Sequence, residues 1–105
     1  MRPSDTFRRK LRRRLLGIAE TRRPACANQP SGADLKAIAH CERLAASADA
    51  LAPQLCTAVT DTMADPARAR RFAAIWAELP EALGTTIWPR DAGELTATMV
   101  RQSRL

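Results

Sequence analysis

The chain has no tyrosine, only two phenylalanines and two tryptophans, and six valines and isoleucines taken together. β-Branched and aromatic side chains suit a pleated, half-buried surface, so strands have little material to form from. The same scarcity weighs against RNA modules that stack bases on exposed aromatics. Glycine is sparse as well, at four residues, and no phosphate-cradling Gly loop is present. Nor is there a G-x-S-x-G nucleophile elbow or an H-E-x-x-H metal motif. The single histidine, His40, has Ser47 and Thr57 as its nearest hydroxyls in sequence and sits on a polar flank between Lys36 and Arg43. That is a surface setting without a grouped nucleophile and orienting carboxylate, and catalysis is not expected.

No apolar run of bilayer-spanning length occurs, and no apolar segment with a small-residue cleavage site marks secretion. The expected location is the reducing cytoplasm. Three cysteines, Cys26, Cys41 and Cys56, stand fifteen residues apart. Zinc sites take closely spaced ligand pairs, which this spacing does not supply, and adjacent His40 and Cys41 point roughly 100° apart on a helix. An odd cysteine count also argues against a disulfide framework. Cys41 and Cys56 read as small buried thiols and Cys26 as a loop thiol; no metal and no cofactor is expected.

Alanine, leucine and arginine, which head the helix-propensity scale, are what the chain does have. At 105 residues a fold buries roughly 65% of the surface of its extended chain, enough for one modest core without disulfides. The expected fold is all-α: a small bundle of four to five helices with a basic N-terminal helix. Residues 1–23 read as that basic amphipathic helix, 24–32 as a loop or linker, and 33–105 as the bundle body, within one domain. The first helix is expected to start at Ser4 or Asp5, with Pro3 outside it and Phe7, Leu11, Leu15 and Ile18 on one face. Ser31 with Asp34 approximates a capping box for the second, whose apolar face runs through Leu35, Ile38, Cys41, Leu44 or Ala45, Ala48 and Leu51. Pro53 ends or kinks that helix, and a third carries Leu55, Cys56, Val59 and Met63 inward. Asp65-Pro66 caps a fourth, with the stripe Phe72, Ile75, Trp76 and Leu79, which Pro80 then ends. Leu83-Gly84 reads as a turn with a left-handed cap and residues 85–90 as an isolated β-leaning segment. Asp91 with Glu94 starts the last helix, with Leu95, Met99 and Ala92 inward.

Charge is the least evenly distributed property. Residues 1–23 hold nine basic residues against Asp5 and Glu20, a net of +7, whereas residues 24–105 hold eight against nine acids, a net of −1. The formal net charge of +6 therefore belongs to the first segment. Arginine outnumbers lysine 15 to 2 and alanine numbers 21. GC-rich coding produces such a bias by itself, so sign and position are weighed above the choice of arginine. Arginines spread around a helix with so few acids beside them imply an anionic partner, and neutralising phosphates releases condensed counterions.

The function expected from this is non-enzymatic: a nucleic-acid-binding accessory protein of bacterial or phage origin. It would hold phosphates through Arg8, Arg9, Lys10, Arg12, Arg13 and Arg14, with DNA favoured over RNA and a homo-oligomer among the assemblies considered. With roughly five phosphates engaged, log K should fall with log salt at a slope near −4 to −5. Arg68 and Arg71 join the set if the third and fourth helices form a helix-turn-helix, although their joint lacks the usual Gly-containing turn. The alternative is an adaptor or inhibitor whose basic helix docks on an acidic partner protein. An anionic membrane surface suits the charge, but the apolar stripe such a helix would insert is needed to dock it on the body. Trp88 lies in an irregular segment, where it closes over the bundle or anchors a partner.

Overall fold

Prolines divide this chain into its helices. The computed structural model describes residues 3–23, 31–83 and 88–105. Six helices follow in order: α1 (Pro3–Thr21), α2 (Gly32–Ala50), α3 (Ala52–Met63), α4 (Pro66–Ala77), α5 (Leu79–Ala82) and α6 (Ala92–Ser103). No strand occurs among the described residues. Pro53, Pro66 and Pro80 each stand in the first turn of a helix, where the missing amide would have had no partner. This is why the helices outnumber the four to five expected: Pro80 closes α4 and also opens the one-turn α5. Pro3 likewise lies inside α1 rather than before it.

Side-chain caps fix three boundaries, the start of α4 among them. Ser31 Oγ accepts from the Asp34 amide, Asp65 Oδ1 from the Ala67 amide at 2.9 Å, and Asp91 Oδ1 from the Glu94 amide at 2.9 Å. Each satisfies donors that the first turn leaves open. Leu51 is at once the C-cap of α2 and the N-cap of α3. Its amide bonds Ser47 O and its carbonyl accepts from Leu55 N, so the chain bends there without losing backbone pairing.

The core runs through all the helices. Leu11 and Leu15 of α1, Leu44 of α2, Leu55 of α3, Leu79 of α5 and Met99 of α6 are fully buried. Thus α1 is docked on the body along the expected stripe. Phe7 meets Phe72 and Trp76 of α4 with ring centroids 5.7 and 5.6 Å away, both tilted, a favoured aromatic arrangement. In α2 the buried face is Ala37, Ile38, Cys41, Leu44, Ala45 and Ala48, small enough for α1 to lie close along it.

Several expected core positions are corrected, Leu51 among them, which is only half-buried. Leu35 is 54% exposed, because at 100° per residue it stands about 120° from the middle of the buried stripe. Met63 is 46% exposed and Thr62 is buried in its place; α3 runs its inner face through Leu55, Val59 and Thr62. Thr62 tolerates burial because its hydroxyl donates to Ala58 O. That phase leaves Cys56 half-buried, its Sγ 3.9 Å from Thr60 Oγ1. Ile75 and Trp76 of the α4 stripe are also only half-buried. Of the expected loop over 24–32, residues 24–30, with Cys26, lie outside the described residues, and Gly32 already belongs to α2. Of the expected turn at 83–84 and β-leaning segment over 85–90, residues 84–87 lie outside them, and residues 88–90 form no strand.

One glycine sits in a tight contact. A Cβ on Gly93 would stand 3.2 Å from Asp91 Oδ1 and 3.3 Å from Leu51 Cδ1, so the α6 cap and the α2–α3 bend meet across a bare Cα.

Candidate nucleic-acid interface

The buried stripe of α1 leaves two flanks and an outward face, and its basic residues divide among them. On the flank toward α2, Arg8 and Arg12 both reach Asp49: Arg8 through Nη1 to Oδ1, and Arg12 through Nε to Oδ2 at 3.3 Å. Just past the end of α1, Arg22 pairs with Asp34 at 3.6 Å, and Arg23 pairs with Glu42 at 2.7 Å and Glu20 at 3.6 Å. The two helices are therefore antiparallel, with the start of α1 beside the end of α2. Asp34, Glu42 and Asp49 recur at intervals of eight and seven residues, about two helical turns each, and form an acidic edge on α2 facing the arginines. The sequence contained this signal in the spacing of those three acids, but a charge count by segment does not register it.

On the opposite flank Arg14 is held by packing. Its Nη2 donates to Ala77 O at 3.2 Å, and its guanidinium carbon lies 5.5 Å from the centre of a Trp76 ring. The cation covers an apolar side chain and also binds a carbonyl at the end of α4, where the helix dipole favours positive charge. The outward face carries Arg9, Lys10 and Arg13, all exposed. Lys10 and Arg13 pair with no carboxylate among the described residues.

Arg68 and Arg71 are turned toward the body. Arg71 Nε donates to Ser103 O at 2.6 Å, serving the last turn of α6, and Arg68 Nη2 donates to Thr62 Oγ1 at 3.5 Å. The α3–α4 joint consists of Ala64 and Asp65 alone, shorter than the turn of a helix-turn-helix. Of the eight basic positions singled out, the fold gathers Arg9, Lys10 and Arg13 on one open face, ties Arg8, Arg12 and Arg14 along the flanks, and commits Arg68 and Arg71 elsewhere.

Trp88 lies against the core, half-buried, and stacks on His40 with ring centroids 4.7 Å apart and planes 13° from parallel. Arg43 Nη2 donates to Pro89 O at 2.9 Å and the Ala92 amide donates to Ser47 Oγ at 2.8 Å. His40, Arg43 and Ser47 of α2 thus fasten the segment that leads into α6. Sequence spacing placed His40 on a polar flank but did not reveal its aromatic partner. Burial, then the positive charges of Arg43 and Lys36, lower the His40 pKa from its ordinary value.

Cys41 is fully buried. Burial pushes its thiol pKa up, an effect that the nearby Arg22 partly opposes and Glu42 reinforces; the thiolate needed for nucleophilic chemistry is therefore disfavoured. Among the described residues no group of three His, Cys, Asp or Glu side chains could hold a metal ion, and no helix is long and apolar enough to cross a membrane. The groove between α1 and α2, about 350 Å³, is lined by Arg12 and Arg23 but also by Glu20 and Glu42. It therefore offers no field of one sign.

No family model matches the chain, and no curated protein or solved structure is significantly similar to it.

Proposed function

We propose that this is a non-enzymatic nucleic-acid-binding accessory protein that grips the phosphate backbone with the outward face of α1. The observation that carries the reading is the pair Lys10 and Arg13, exposed and without a carboxylate partner among the described residues, on a helix whose opposite stripe is fully buried at Leu11 and Leu15. Such cations are presented on a rigid support, and a backbone laid along them is neutralised at little ordering cost. Contacts of this kind position a protein on nucleic acid without reading its sequence. DNA is favoured over RNA because Phe7, Phe72, Trp76 and Trp88 all belong to the core or pack against it, so no aromatic platform is left for stacking bases.

The open face is smaller than the whole basic segment, and the salt dependence should be shallower to match. Engagement of about two to three phosphates gives a slope of log K against log salt near −2 to −3, in place of −4 to −5. Fluorescence anisotropy with duplex and single-stranded oligonucleotides between about 50 and 200 mM salt measures it. Binding that weakens with that slope supports the reading; no binding at the lowest salt, or binding indifferent to salt, overturns it. Deleting residues 1–23 is not a clean test, because the deletion also removes Leu11 and Leu15 from the core.

One observation favours docking on an acidic protein as a second reading. Leu16 is 40% exposed three residues beyond Arg13, and an apolar side chain beside cations suits a protein surface better than a phosphate backbone. Under that reading Leu16→Ser weakens partner binding; under the first it leaves duplex binding unchanged.

A further inference from the structure

The arginines that meet the acidic edge of α2 are not evenly matched. Arg22 has Asp34 and Arg23 has two carboxylates, Glu20 and Glu42. Asp49 alone is outnumbered, with one carboxylate facing two guanidiniums. Arg8 and Arg12 stand one turn apart on α1 and converge from the same side, each on a different oxygen of that carboxylate. Two guanidiniums converging on two oxygens of one anion also describes how such a pair would hold the two non-bridging oxygens of a phosphodiester. The cluster lies at the water boundary: the Asp49 side chain is 46% exposed and that of Arg12 is 52% exposed. Exposed pairs of this kind are weak and exchange readily for another anion.

We infer that Asp49 is a built-in phosphate surrogate, covering a second anion site formed by Arg8 and Arg12 for which a nucleic-acid phosphate competes. The inference rests on the reading of α1 as a phosphate-binding helix and assigns that helix a regulated extension. With Asp49 in place, binding uses the outward face; with the carboxylate removed, the Arg8–Arg12 flank adds to it.

The test compares Asp49→Asn with Asp61→Asn in duplex titrations by anisotropy. Asp61 is exposed and has no ion-pair partner among the described residues, so both variants lose one negative charge but only the first uncovers arginines. Asp49→Asn is expected to tighten binding about three- to tenfold and to steepen the salt slope by about 1 to 2, with Asp61→Asn changing affinity less than about twofold. Equal effects of the two variants, with the wild type binding, overturn the inference and leave the outward face standing. A silent wild type with a binding Asp49→Asn supports it, and silence from both overturns the inference together with the reading beneath it. Should Asp49→Asn lose helical signal, the wild-type Arg12 Nε–H resonance gives the answer: it shifts on adding duplex if phosphate displaces Asp49, and an unmoved resonance in a protein that binds overturns the inference.

Discussion

On the side of α1 that faces α2, each arginine has a carboxylate; on the side that faces water, Lys10 and Arg13 have none among the described residues. Both sides come from one basic segment, and the segment's net charge describes neither. Apart from Glu20 beside Arg23, the acids that answer the first side lie more than ten residues away in sequence, on the edge of a helix that runs antiparallel. A segment's net charge is thus a poor guide to the charge it presents, because folding decides which cations keep a counterion. The difference also bears on stability. Exposed ion pairs contribute about 0.2 to 1 kcal/mol each, whereas the fully buried Leu11 and Leu15 contribute several times that. The apolar stripe holds α1 on the body, and the acidic edge chiefly determines which of its cations remain open.

The most severe way to break this comparison is to undock α1. Leu11→Ala should cost about 2 to 5 kcal/mol, read by denaturant unfolding, because it opens a cavity where the side chain is fully enclosed. Next comes the flank held by packing: Arg14→Ala removes a cation over Trp76 and a bond to Ala77 O. It should cost about 1 kcal/mol in the same assay, with little of the loss recovered at high salt. The smallest change in stability belongs to the outward face. The double variant Lys10→Glu with Arg13→Glu should stay within about 0.5 kcal/mol of the wild type, since neither side chain has an ion-pair partner among the described residues to lose.

The parts of the fold that depend on local chemistry were legible in the sequence. Ser31, Asp65 and Asp91 cap helices because short acceptors satisfy first-turn amides wherever they occur. The α1 stripe was legible because large apolar side chains at helical spacing have one place to go. Leu35 and Met63 misled because periodicity proposes a face, while the neighbours choose its exact phase; α3 buried Thr62 once its hydroxyl had a backbone acceptor. Pro80 was read as a stop but also serves as a start, a double role that depends on Leu79 and Leu83 both being wanted in the core. For the candidate site, the basic residues were evident from composition and their partners were not. Pairing Arg8 and Arg12 with Asp49 requires knowing that α1 and α2 run antiparallel in contact, and stacking His40 on Trp88 requires knowing where the chain returns after α5.

The central claim is that open cations, rather than the basic segment as a whole, carry the function. It is tested most directly by titrating labelled duplex DNA with wild-type protein and with the Lys10→Glu, Arg13→Glu double variant at about 50 mM salt, where phosphate contacts are strongest. A loss of at least about tenfold in affinity at an unchanged melting temperature is expected, since two phosphate contacts become repulsive. Binding of the double variant equal to that of the wild type would contradict it.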